Sequence, residues 1–163
     1  MAYSDYAFYT SSYYGDTLDD KTFNKYAERA SDFMDAITFK RLVDGLPSDE
    51  RDAKRVRKCV CALADIYYNL DLAQKAAAAT VSGESSGTGV TGNADQIKSK
   101  SSGSESITYM TPAEVAGNTK SWSMVYSAAN DKTKTDRLLY KTAKDYLSSV
   151  SDDSGTLLLY AGV

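Results

Sequence analysis

The stretch Thr22–Arg41 reads TFNKYAERASDFMDAITFKR. Phe23, Tyr26, Ala27, Ala30, Phe33, Met34 and Ile37 recur in it at three- and four-residue intervals, which gathers them on one narrow helical face. Lys25, Glu28, Arg29, Asp32 and Asp35 fall on the other side. The spacing predicts an amphipathic helix, with Asp19 or Asp20 as its cap, because their side-chain oxygens accept from orphan N–H groups.

The same reading extends outward. Upstream, Tyr3, Tyr6, Phe8, Tyr9, Tyr13 and Tyr14 precede a turn at Gly15 and read as an irregular or single-turn cover over the core. Downstream, Asp44-Gly45-Leu46-Pro47 forms a loop, and Ser48 is the expected cap of a second helix with acids in its first turn. The apolar line of this helix is Val56, Val60, Leu63, Tyr67 and Leu70. The alanine run Ala76–Ala79 extends it to a length of about 45 Å at 1.5 Å per residue. After residue 106 the stretch Ile107–Ala129 looks extended, because SWSMVYSA alternates Trp122, Met124 and Tyr126 with smaller residues. A third helix is expected over about 134–150, with Leu139, Ala143, Tyr146, Leu147 and Val150 inward.

Between these halves lies Thr80–Ser106, TVSGESSGTGVTGNADQIKSKSSGSES, more than half Gly, Ser or Thr. Such a segment carries too little apolar surface to offset its ordering entropy and is expected to be a flexible arm. As a coil it reaches a few tens of ångströms at about 5–6 Å per root residue. The expectation is therefore a mainly α single domain: a small bundle of about three helices with a short extended segment. It divides into a helical half (1–79), the arm (80–106) and a strand–helix half (107–163) that ends in an apolar tail.

Composition bounds the function. The 163 residues carry a net charge of −3, which gives no basic excess for non-specific nucleic-acid binding. No apolar run reaches membrane-spanning length, and the opening MAYSDYAFYT is not a signal-peptide pattern, so export by a signal peptide is not expected. With no histidine, the usual nucleophilic triads are excluded. The glycines of SGESSGTGVTG follow an alanine-rich helix and lack the Gly-Lys-Ser/Thr ending, so a phosphate-binding loop is not supported. The paired acids Asp19/Asp20 and Asp152/Asp153 sit in turn and cap contexts. No enzyme and no cofactor is expected. Cys59 and Cys61, too oppositely placed on a helix to join, read as one packed thiol and one near the surface. The 13 tyrosines suit partly dry interfaces and ordinary domain edges alike.

Two surface features stand out. Arg51, Lys54, Arg55 and Lys58 recur at i, i+3, i+4 and i+7 as a basic stripe. It is either a solvated face partnered by nearby acids or a contact with an acidic neighbouring subunit or passing DNA. Leu157, Leu158, Leu159 and Tyr160, after the breaker Ser151–Gly155, either finish the core as a last strand or dock into another chain.

The order of motifs resembles the head–tail connector (adaptor) family of long-tailed double-stranded DNA phages. The entry Tyr9-x-x-x-Tyr13-Tyr14-Gly15 leads to a helix with Ala30, Ser31, Phe33, Met34 and Asp35 at its centre and Thr38-Phe39 near its end. KCVCALADIYY, then Ile107-Thr108, Trp122-Ser123-Met124-Val125-Tyr126-Ser127 and Leu158-Leu159-Tyr160-Ala161-Gly162-Val163 come in the family's order. Relatives often carry a basic residue where this chain has Ala161. The resemblance implies a virion protein made in the host cytoplasm and placed in the neck. There a ring of copies, expected to be dodecameric, sits beneath the portal. It contacts itself, the portal, the next stopper or tail-terminator protein and the capsid, while DNA passes without sequence-specific binding. Within this resemblance the tail residues are the portal contact, and another neck, tail-completion or capsid-accessory protein is the alternative.

Overall fold

The computed structural model describes residues 2–81, 97–101, 106–109 and 120–159. The chain is mainly helical and divides into two compact units, residues 1–68 with 136–163 and residues 69–135. In chain order the elements are α1 (Tyr6–Ser11), α2 (Asp20–Ile37), α3 (Glu50–Val81), β1 (Ile97–Ser101), β2 (Ser106–Tyr109), α4 (Lys120–Ala129) and α5 (Lys132–Leu147).

In the first unit, α2, the first half of α3 and most of α5 enclose one core. Phe23, Tyr26, Ala27, Ala30 and Met34 come from α2, and Val56, Val60, Leu63 and Ala64 from α3. Leu139, Ala143 and Leu147 come from α5, and Val150 and Leu158 close one edge. These are largely the faces expected from the 3.6-residue period; Phe33, Ile37, Tyr67 and Tyr146 lie at their margins, half-buried. Asp19 caps α2 by accepting from the Thr22 N–H at 2.8 Å. The cap of α3 is one residue later than expected: the Asp52 N–H donates to Asp49 Oδ1 at 3.0 Å, and Ser48 lies outside the helix. Asp49 is also a strong cap, and Ser48 is drawn away by Asp153.

Residues 2–15 lie over this core as the single-turn cover the aromatic spacing predicts. Tyr9, 0% exposed, packs its ring 4.6 Å from that of Phe23. A Cβ at Gly15 would lie 2.1 Å from the Tyr9 ring, so only glycine lets the chain pass there. Polar bonds fasten the cover. Tyr3 N–H donates to Ser31 Oγ (3.0 Å), Tyr3 Oη to Asp35, and Tyr9 Oη to Asp65 Oδ1 (2.7 Å). Ser31, buried on the apolar face of α2, is satisfied by this acceptance and by donating to the Ala27 carbonyl. Both Cys59 and Cys61 are buried, against the expected split, because the cover places Ser4 over Cys61 at 3.4 Å.

In the second unit, β1 and β2 pair antiparallel with Lys100 opposite Ile107 and Ser101 opposite Ser106. The strand β1 falls inside the stretch expected to be a flexible arm; most of the remainder of that arm beyond Val81 lies outside the described residues. Of the stretch Ile107–Ala129 expected to be extended, residues 107–109 lie in β2, residues 120–129 form α4 instead of a strand, and residues 110–119 lie outside the described residues. Met124 is exposed, whereas Val125 is half-buried and Ala128 and Ala129 are buried. The i, i+3, i+4 spacing of those three residues, with alanine's helix propensity, outweighs the alternation. Gln74 Nε2 donates to the Ala129 carbonyl at 2.8 Å and Thr135 Oγ1 to the Ala128 carbonyl at 2.7 Å, which satisfies acceptors left open where α4 ends.

Candidate interaction surface

The loop after α2 and the turn after α5 meet at one edge of the first unit. The helix ends at Ile37 with Thr38 as its cap, and the Lys40 N–H reaches back to the Asp35 carbonyl at 2.8 Å. This is a Schellman-type ending, whose left-handed position is usually glycine. Here Phe39 (φ 55°) and Lys40 (φ 63°) both take the left-handed region. For each the cost is about 1–2 kcal/mol, because Cβ crowds the following carbonyl. The Phe39 ring gains little burial in return: it is 57% exposed, with the Arg41 guanidinium 5.6 Å from its centre. Val43, further along the loop, is 60% exposed.

The turn is built around two aspartates. Asp152 Oδ1 accepts from Ser154 N–H (3.0 Å), Ser154 Oγ (2.6 Å) and Thr156 N–H (2.9 Å). These bonds hold its carboxyl below the ordinary carboxylate range, the Ser154 hydroxyl acting most strongly. Gly155 (φ 81°) supplies the left-handed residue of the turn. Asp153 Oδ1 accepts from both Ser48 N–H (2.7 Å) and Ser48 Oγ (2.8 Å), which likewise lowers its pKa. That latch is why Ser48 does not cap α3.

Arg41 joins the two pieces. Its Nη1 donates to the Leu157 carbonyl (3.0 Å) and the Leu158 carbonyl (3.2 Å), and its Nε lies 4.0 Å from Asp152 Oδ2. Leu158 N–H donates to the Val150 carbonyl at 2.9 Å, and an antiparallel bridge joins Ser151 to Leu157. A cleft of about 230 Å³ lies between loop and turn, lined by Arg41, Asp44, Leu46, Asp152, Asp153 and Leu158 among others.

The sequence candidates therefore separate. Leu158 is 0% exposed and belongs to the chain's own core; Leu159 is half-buried against it. Leu157, their neighbour, is 45% exposed. Tyr160 lies outside the described residues. A docking role for this segment thus rests on Leu157 and on the residues after Leu159. In the basic stripe, Arg51, Lys54 and Arg55 are exposed and Lys58 is half-buried. Arg55 Nη1 donates to Ser149 Oγ. The ion pairs Arg41–Asp152 and Lys134–Asp131 do not involve the stripe.

Elsewhere in the unit, Asp65 accepts from Tyr9, and with Tyr13 beside it forms a half-buried polar knot. Burial raises its carboxyl above the ordinary range, while the tyrosine hydroxyls pull the other way. Tyr9 is pushed up to about 12 by burial and by the Asp65 carboxylate. Cys59 is pushed up to about 12 and Cys61 to about 11, both mainly by burial, so each is a protonated thiol at neutral pH. Among the described residues no group of three or more Cys, Asp or Glu is placed to hold a metal ion, and no helix is long and apolar enough to cross a membrane.

The Arg41 clamp, the left-handed backbone at Phe39 and the Ser48–Asp153 latch were not anticipated from the sequence. The Asp-Asp-Ser-Gly run did signal a turn. Nothing in it pointed to Ser48, 105 positions away.

No protein-family model matches this chain, and neither does any curated protein or any solved structure.

Proposed function

We propose that this chain is a structural head–tail adaptor of a phage neck, a protein whose copies form a ring under the portal, extend the DNA channel and join capsid to tail. The order of motifs along the chain supports this reading. So does a helical unit whose polar residues serve to brace loops and covers. The observation that carries it is the contrast between Leu157 and Leu158. One leucine is locked into the core and the next-door one faces outward. The Arg41 clamp on both of their carbonyls and the Asp152 turn before them hold this pair at a fixed point of the first unit. Pre-setting a docking segment lowers the ordering cost of binding, and repetition around a ring multiplies weak contacts. A net charge of −3 suits a channel through which DNA must slide.

The test is binding to a purified portal ring, read by light scattering after size exclusion. The intact chain is expected to add mass to the ring, and Leu157→Asp to reduce that added mass without loss of fold. Binding to tail-tube proteins alone would instead favour a tail-completion factor.

A further inference from the structure

The cover over the first unit is fastened differently from the helices beneath it. Its one helix, α1, has six residues, too few to hold a helical fold without a body to lie on. Among residues 2–15 only Ser4 and Tyr9 are buried. Tyr9 is the pin: its ring packs against Phe23 and its hydroxyl donates to Asp65. The other ties are Ala2 N–H to Glu28 Oε1 (3.2 Å), Tyr3 N–H to Ser31 Oγ and Tyr3 Oη to Asp35. Each of these ties ends on a side chain of α2 or α3. Among the described residues, the backbone–backbone hydrogen bonds of the cover run between residues 5 and 15 and so travel with it. Lifting the cover therefore breaks no helical ladder, and water takes the place of each side-chain partner.

The cover also has a hinge. Tyr14 holds φ 61° with its side chain 82% exposed, so left-handed strain sits there with little burial against it. Gly15 follows, and the closed Tyr9 ring lies where any Cβ of that residue would stand. Pin and hinge are thus in contact: when the ring leaves, Gly15 is free to turn. The two thiols of α3 have different neighbours. Cys61 Sγ lies 3.4 Å from Ser4 Oγ of the cover, whereas Cys59 Sγ lies 3.5 Å from Met34 Sδ of α2.

We propose that residues 2–15 form a lid that swings open as one unit about Tyr14–Gly15 while α2, α3 and α5 stay folded, and that Cys61, not Cys59, is the thiol it shields. Opening gives Cys61 to solvent and leaves Cys59 packed against Met34. The device goes beyond the adaptor reading, because it needs neither a portal nor a second copy.

The experiment labels the purified full chain with iodoacetamide at fixed pH over a series of urea concentrations below the unfolding transition, and reads each cysteine by peptide mass spectrometry. The thiolate sulfur displaces iodide from the reagent carbon, its proton having passed to solvent, so a label forms only on a thiol that water reaches. With labelling slower than reclosing, each rate follows the population of the open form. Cys61 should label at least about tenfold faster than Cys59, yet at least about tenfold slower than in the urea-unfolded chain. Its rate should rise only weakly with urea, since a lid exposes little surface, whereas that of Cys59 should climb with the slope of global unfolding. Tyr9→Phe removes a bond to a carboxylate and should speed Cys61 by about tenfold without steepening its urea dependence. Leu158→Ala weakens the helical body instead, and should speed Cys59 by a clearly larger factor than Cys61. The proposal is overturned if Cys61 and Cys59 share one rate and one urea slope, or if Cys61 labels at the unfolded rate. Unchanged Cys61 labelling in Tyr9→Phe, or equal acceleration of both thiols in Leu158→Ala, overturns it as well. Since no portal is present, such a failure leaves the adaptor reading standing.

Discussion

Leu157 and Leu158 stand side by side in sequence and on opposite sides of the solvent boundary, which makes their truncation a sharp experiment. Leu158→Ala removes three carbon atoms from a side chain that is 0% exposed. At about 0.8 kcal/mol per buried methylene, the transfer loss is about 2.4 kcal/mol. The site is hemmed by a backbone bond to Val150 and the Arg41 clamp on its own carbonyl, so it cannot collapse freely. A residual cavity therefore adds to the loss, for a total of about 3–4 kcal/mol. For a chain of this size that is a fall in Tm of about 6–16 °C. Leu157→Ala, at 45% exposure, should cost under about 1 kcal/mol. Urea denaturation followed by circular dichroism reads both, with an unchanged m-value showing that the midpoint shift is stability. If Leu158→Ala costs no more than Leu157→Ala, the placement of this segment in the chain's own core is wrong.

The cover and the turn give two more outcomes. Gly15→Ala should destabilise by about 1–3 kcal/mol, because the new methyl meets a Tyr9 ring that is buried and tied to Asp65. In the double variant with Tyr9→Ala the two losses should be clearly less than additive in the same urea measurement. For acid, the signs oppose. Asp19, Asp152 and Asp153 have lowered pKa values, so their stabilisation is present above the unfolded value of 3.8 and is lost as pH falls through the depressed folded values. Asp65 has a raised pKa, so the folded state takes its proton first, and its contribution is lost as pH rises through the raised value. Urea midpoints should therefore climb modestly as pH is lowered from neutral, peak in mild acid and fall below about pH 4. Asp65→Asn should abolish the climb and keep the fall. A wild-type midpoint that is flat from neutral to mild acid contradicts the burial assigned to Asp65.

The helices of the first unit were legible because their burial tracks the helical period. Phe23 to Met34, Val56 to Leu63 and Leu139 to Val150 sit where the 3.6-residue rule puts them. The SWSMVYSA segment misled because its short alternation fits a strand equally well over six residues; Ala128 and Ala129, at its far end and just beyond, decided for helix. Ser48 and Asp49 are nearly equal caps in sequence, and a residue from the far end of the unit, Asp153, chose between them. The candidate surface was the least legible. Its clamp joins Arg41 to a carbonyl 116 positions later, and its strained residues are a phenylalanine and a lysine, which carry no sequence mark of left-handed backbone. The basic stripe was visible at once, since charge at helical spacing needs no long-range partner to be seen.

Assembly on the portal can be read from the mass of a portal ring incubated with this chain. Native mass spectrometry of the mixture should show the ring heavier by a whole number of chains that matches the ring symmetry, with few partly filled species. A portal mass that stays unchanged while the chain remains a monomer would contradict it.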